Sequence, residues 1–246
     1  MSAKKVMVIT GASRGIGAEI ALSAASKGYI TVINYNNSQK NAEELCQRIK
    51  NFGGECIAVK ADISNSNDVN VLYEKSMSLT GNVDVLVNNA GISSFSLFTD
   101  INEDLWDRTF DVNVKGNFLV SRAYIPNMVH RKNGKIINIS SIWGICGSSC
   151  EVHYSASKAA IIGMTKALAK ELGPSGITVN CIAPGIIDTE MNSAVSKEDM
   201  QTLIDETPIQ RIGTPSDVAK LVLFLASDGA DFITGQVISP NGGFVI

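Results

Sequence analysis

Tyr154 and Lys158 stand one helical turn apart in Tyr154-Ser155-Ala156-Ser157-Lys158, so both face one side of a helix. A free tyrosine titrates near pH 10 and exchanges protons poorly at neutral pH. An ammonium beside it stabilises the phenolate and turns it into a usable acid–base group. The spacing alone is common and equally fits a surface pair. A second chemical signal lies near the start of the chain, in Thr10-Gly11-Ala12-Ser13-Arg14-Gly15-Ile16-Gly17. Glycines there permit a tight turn and let backbone approach a pyrophosphate. The following helix start adds free N–H groups and a favourable dipole.

The end of the second apolar run discriminates between dinucleotides. A carboxylate there would bind a ribose 2′-hydroxyl and repel a 2′-phosphate. This chain has Asn34-Tyr35-Asn36-Asn37-Ser38, with no carboxylate. Arg14 is placed to pair with a phosphate, and Asn37 and Ser38 to donate to it. The expected cofactor is NADP(H), the alternative being that Arg14 is a solvated loop charge.

These residues need a scaffold, and the apolar pattern supplies one. Strands are expected over Val6–Thr10, Ile30–Asn34, Cys56–Lys60, Val83–Val87, Lys135–Ile139, Ile177–Ile182 and Gln236–Ser239. Helices are expected over Ile16–Lys27, with Gly28 as its stop, and over Gln39–Phe52 and Asn67–Leu79. A long helical stretch, Glu103–Arg131, should bend near Pro126. Tyr154–Leu172 and Pro215–Ser227 complete the set. Alternating strands and helices with continuously apolar strands imply an α/β fold: one Rossmann-type, doubly wound parallel sheet covered on both faces. No repeat or linker divides the 246 residues, so a single domain is expected.

Composition removes several classes. The net charge is -3, so no basic field attracts nucleic acid or an anionic membrane. No apolar run spans a bilayer, and the run after Met1-Ser2-Ala3-Lys4-Lys5 is too short for a signal peptide. A cytoplasmic location is expected. Five cysteines (Cys46, Cys56, Cys146, Cys150 and Cys181) form no CxxC pair and read as reduced thiols. With only two histidines, no metal site is expected.

Taken together, the glycine spacing, Asn88-Asn89-Ala90-Gly91 and the Tyr154–Lys158 pair resemble the short-chain dehydrogenase/reductase family along essentially the whole chain. Gly134 to Ser141, Ile233-Thr234-Gly235-Gln236 and Asn241 to Ile246 are most similar to bacterial 3-oxoacyl-[acyl-carrier-protein] reductases. The resemblance implies seven strands and an Asn113, Ser141, Tyr154, Lys158 catalytic set. Its spacing selects Ser141 over Ser140, and Asn113 sits where asparagine has mediocre helix propensity. It implies cofactor contacts at Gly11, Ser13, Arg14, Gly15, Ile16, Gly17, Asn37, Ser38, Asp62, Ile63, Asn89, Ala90 and Gly91. At the nicotinamide end it implies Tyr154, Lys158, Pro184, Gly185, Ile187 and Thr189. Asp62 also fits a helix cap.

Further, the resemblance implies a substrate lid over 188–210 and a homotetramer. It implies reduction of a ketone to a secondary alcohol, with acyl carrier protein as partner. Carrier docking would use Arg131 and Lys132, while the matching stretch Gly173–Gly176 is uncharged. Cys150 and Glu151 fall on the substrate side, where a carboxylate disfavours an acidic carrier and favours a cationic substrate; otherwise Glu151 is a solvated loop charge. Ser141-Ile142-Trp143-Gly144 and Ser149-Cys150-Glu151 also resemble reductases of the 5-aminopentanone-modified lysine of elongation factor P. A small-molecule or steroid ketone reductase and a cofactor-binding regulator are the remaining alternatives.

Overall fold

The computed structural model describes residues 4–192 and 195–246; residues 1–3 and 193–194, the latter inside the expected lid, lie outside the described residues. Seven strands form one parallel sheet: β1 Val6–Ile9, β2 Ile30–Tyr35, β3 Glu55–Lys60, β4 Val85–Asn88, β5 Gly134–Ile139, β6 Ile177–Ile182 and β7 Val237–Ile238. Their order is β3-β2-β1-β4-β5-β6-β7. The chain reverses its winding between β1 and β4, which leaves a crevice at the strand ends where open α/β sheets bind ligands.

Strand side chains alternate between two cores. Met7 and Ile9 join one cluster, with Ile20, Leu45 and Val222 from α1 (Gly15–Ser26), α2 (Gln39–Asn51) and, further on, the helix Pro215–Ala226. Val6 and Val8 join the other, with Leu72 of α3 (Ser66–Thr80) and helices from the middle of the chain. Burial on both faces explains why the central strands read as unbroken apolar runs.

The expected helix over Glu103–Arg131 is not one smooth element. It comprises α4 (Glu103–Phe110), a π-turn at Asp111–Lys115 and α5 (Gly116–Arg131). Helix α5 runs on through Pro126, so the interruption falls at the π-turn and not at the proline. A π-turn has no hydrophobic signature of its own, whereas proline advertises a break by residue type. The remaining helices are α6 (Trp143–Cys146), α7 (Val152–Leu172), α8 (Lys197–Asp205) and α9 (Pro215–Ala226).

The cysteine expectation needs correction. Cys46 on α2 and Cys56 on β3 are joined in a disulfide, with Cα atoms 5.4 Å apart; Cys146, Cys150 and Cys181 are free. Separation by ten residues hid the pairing, because α2 folds back to bring its inner face over β3.

Candidate active site

The glycine loop after β1 is laced to its surroundings. Asn89 Nδ2 donates to Thr10 O at 2.9 Å and Gly11 O at 3.1 Å. The Asn89 and Ala90 N–H groups donate to the Thr10 hydroxyl, each at 3.0 Å. Asn34 Oδ1 accepts from Gly11 N–H at 3.2 Å. Gly11 (φ +61°) and Gly15 (φ +56°) adopt the left-handed region. A side chain at Gly17 would lie 2.6 Å from Asn89 Nδ2. Thr10 and Asn34 therefore shape the loop, a role visible only once β1, β2 and β4 are adjacent.

Helix α1 begins on this loop with no capping side chain, and its first turn has no acidic residue. By contrast α3, α4, α8 and α9 are capped by Asn65, Asn102, Ser196 and Thr214. Uncapped N–H groups at Gly15, Ile16 and Gly17, behind Ser13 and Arg14, fit a pyrophosphate. Ser38 precedes α2 without capping it, which leaves its hydroxyl free to donate, and Asn37 is exposed beside it. Arg14 is solvent-exposed, and its guanidinium lies 3.2 Å from the equally exposed Glu190 carboxylate.

Asp62 is not the cap of α3, a task that Asn65 performs through bonds to Asn67 and Asp68 N–H. Its carboxylate accepts from Ser64 N–H and hydroxyl at 2.9 and 2.6 Å, from Asn36 Nδ2 at 3.2 Å and from Arg108 at 3.5 Å. Burial pushes its titration up, but these donors outweigh burial and hold it below the usual carboxylate range. Ile63 turns into the core, against Gly116.

At the chemical end the four expected residues converge. Asn113 sits in the π-turn, buried. Its Oδ1 accepts from Ile92 N–H at 2.8 Å, and its Nδ2 donates to Ile92 O and the Ser157 hydroxyl, both at 2.9 Å. A side chain on Gly91 would stand 3.2 Å from both Asn113 Oδ1 and Lys158 Nζ, so the asparagine, the glycine and the ammonium share one space. Lys158 Nζ donates to Ile139 O at 2.9 Å and lies 5.6 Å from the Tyr154 ring centre. The Ser141 hydroxyl accepts from Trp143 N–H at 3.1 Å. Ser140 donates to Lys158 O at 2.8 Å and so braces α7 against β5.

Electrostatics depart from the simple expectation that Lys158 lowers the tyrosine. Burial holds Tyr154 well above its ordinary value; the Ser141 hydroxyl pulls it down and the Glu151 charge pushes it up. Burial also lowers Lys158 to about 8, against a smaller upward pull from Cys181. At neutral pH Tyr154 is therefore held as the neutral phenol, while Lys158 still carries its proton.

Glu151 is not a solvated charge. It is buried at the start of α7 and accepts a hydrogen bond from the Ser93 hydroxyl. Ser94 bonds His153 Nε2 at 3.0 Å, and Ser96 N–H donates to Cys150 O at 2.8 Å. His153 is fully buried, and its Nδ1 has no partner among the described residues. The segment after Gly91 is thus stitched to the residues before Tyr154. Sequence reasoning missed Ser93, Ser94 and His153; three serines following Gly91-Ile92 were the available signal.

Pro184 O accepts from Ile142 N–H at 3.0 Å, and Gly185 approaches Asn241 too closely for a side chain. Ile187 is buried and pairs with Gly213, so the two ends of the 188–210 segment meet. Thr189 packs beside Gly15. Arg131, one of the residues expected to dock a carrier, is engaged within the chain. Its guanidinium bonds Asp84 at 3.0 Å and Asn127 at 3.1 Å, and also Val83 O. It lies where β4 begins, at the other end of the central strands from Ser141. Lys132 is exposed and lies against Gly176. Among the described residues no cluster could hold a metal, and no helix is long and apolar enough to cross a membrane.

A reversed parallel sheet with a glycine loop on one side of the crevice and acid–base groups on the other defines a dinucleotide-dependent oxidoreductase. Comparison with known proteins refines the class. Residues 11–245 match the family model described as Enoyl-(Acyl carrier protein) reductase. The 3-oxoacyl-[acyl-carrier-protein] reductase FabG of Staphylococcus aureus is 42% identical over 243 residues, 99% of each chain. FabG of Thermotoga maritima is 40% identical over 242 residues, 98% of each chain. The crystal structure of 3-oxoacyl-[acyl-carrier protein] reductase from Brucella melitensis superposes with a TM-score of 0.93 at 36% identity, covering 98% of this chain and 92% of that one. The chain belongs to the short-chain dehydrogenase/reductase family.

Proposed function

We propose that this protein is a cytoplasmic, NADPH-dependent reductase of a 3-oxoacyl thioester carried on acyl carrier protein. The observation behind this is the intact Asn113, Ser141, Tyr154 and Lys158 cluster in a chain similar over its whole length to such reductases. Bound NADPH supplies the hydride. Ser13 to Gly17 hold the pyrophosphate, and Arg14, Asn37 and Ser38 the 2′-phosphate. Ser141 donates to the carbonyl oxygen and orients it. Tyr154 gives its proton to that oxygen as the alcohol forms. Lys158 holds the nicotinamide ribose and replenishes the tyrosine proton, and Asn113 keeps Ile92 and Ser157 in place around it. The 188–210 segment covers the substrate, and the subunits form a homotetramer, to be checked by light scattering.

A second reading rests on Glu151. A buried carboxylate beside Tyr154 suits a ketone with a cationic amine, such as the 5-aminopentanone-modified lysine of elongation factor P. NADPH consumption with acetoacetyl-CoA, a neutral ketone and an aminoketone separates the two. Dominant acetoacetyl-CoA turnover supports the first. Dominant aminoketone turnover, lost in Glu151→Gln, replaces it with the second. In either case Tyr154→Phe should lower kcat by at least ~100-fold with an unchanged circular dichroism spectrum; near-normal turnover would remove Tyr154 from the mechanism.

A further inference from the structure

A cavity of about 270 Å³ lies between the glycine loop and α2, lined by Ser13, Arg14, Gly15 and Ala18 on one side and Asn41, Glu44, Leu45 and Arg48 on the other. Positions 41, 44, 45 and 48 recur at helical spacing, so one face of α2 is turned towards the start of α1. Leu45 is buried and forms the floor; Asn41 and Arg48 are exposed at the rim. Two guanidinium groups therefore line one hollow. Arg14 has Glu190 at 3.2 Å and Glu44 has Lys40 at 3.9 Å, whereas Arg48 has no ion-pair partner among the described residues. Of the charged groups lining the hollow, Arg48 alone is thus left without a counter-charge among the described residues.

We propose that Arg48 and Asn41 are specificity residues of this enzyme, adding contacts from α2 to the site for the cofactor's 2′-phosphate beside Arg14, Asn37 and Ser38. The inference rests on the NADPH reading above and extends it to residues outside the glycine loop and the β2–α2 turn. A phosphate dianion accepts hydrogen bonds from both guanidinium groups and from the Asn41 amide, and it displaces Glu190 from Arg14. A 2′-hydroxyl offers no charge to Arg48.

Calorimetric titration of wild type, Arg48→Ala, Arg48→Lys, Asn41→Ala and Arg14→Ala, each with NADPH, NADH, 2′,5′-ADP and 5′-AMP, tests this. Arg48→Ala should weaken NADPH and 2′,5′-ADP about tenfold and leave NADH and 5′-AMP within about twofold. Arg48→Lys should recover part of the loss, and Asn41→Ala should show a smaller loss of the same kind. Unchanged NADPH binding in Arg48→Ala, or an equal loss for NADH, overturns the assignment of Arg48. If wild type still prefers NADPH and 2′,5′-ADP and Arg14→Ala loses that preference in that case, the NADPH reading stands and only this inference falls. A wild type that binds NADH as well as NADPH removes both.

Discussion

At Tyr154 and Lys158 burial opposes the charges that proton transfer requires. Lysine in the unfolded chain keeps its proton up to about 10.5, but in the folded protein only to about 8. Between those values the unfolded state binds more protons, so wild-type stability should rise with pH through that window. Below pH 8 the full cost of the buried ammonium is present, on the order of a few kcal/mol. Lys158→Met should therefore melt at or above the wild-type temperature at pH 7, and the margin should close as pH approaches 10. A variant that melts well below wild type at pH 7 would show that the bond to Ile139 O outweighs burial. The sequence pointed to Asn113, Ser141, Tyr154 and Lys158 through their resemblance to a family pattern, since the Tyr154–Lys158 spacing alone is common, and the fold brings the four together. It could not show Glu151 buried against Ser93 or Arg14 held by Glu190, since both depend on segments distant in the chain meeting.

Helices α6 and α7 approach each other through Gly144. A side chain there would stand 2.7 Å from the Lys158 carbonyl carbon and 2.9 Å from Ala159 N. Those are backbone atoms of α7, which cannot rotate away. Gly144→Ala should therefore cost about 1–3 kcal/mol in urea unfolding. It should also lower kcat more than it weakens NADPH binding, because the shift falls on Tyr154 and Lys158 rather than on the glycine loop. A variant with wild-type stability and turnover would show that α6 moves aside freely. Strands and most helices were readable from periodicity to within a residue or two, and Ile177–Ile182 coincides fully. The π-turn at Asp111–Lys115 was not, because helix and π-turn differ by one residue per turn and share the same apolar pattern. The Cys46–Cys56 bond was hidden for a related reason: register between α2 and β3 is a property of packing.

Across the whole molecule, protection should follow position in the sheet. Strands β1, β4 and β5 are flanked on both sides and buried, whereas β7 has two half-buried residues at an edge. Amide hydrogen exchange should be slowest in Val6–Ile9, Val85–Asn88 and Gly134–Ile139 and fastest at Val237–Ile238. Uniform protection across all seven strands would contradict this. The sheet itself was legible because alternating strands and helices admit few topologies. The two-sided order around β1 also bears on how the chain is made. Strands β1 to β4 are complete by Asn88 and pair only with one another, apart from the β4 edge that awaits β5. A ribosome releases the nucleotide-cradling half first, while Ser141, Tyr154 and Lys158 have yet to be translated. Cellular dinucleotide can thus act as a ligand on the nascent polypeptide and bias it towards its native register before any catalytic group exists.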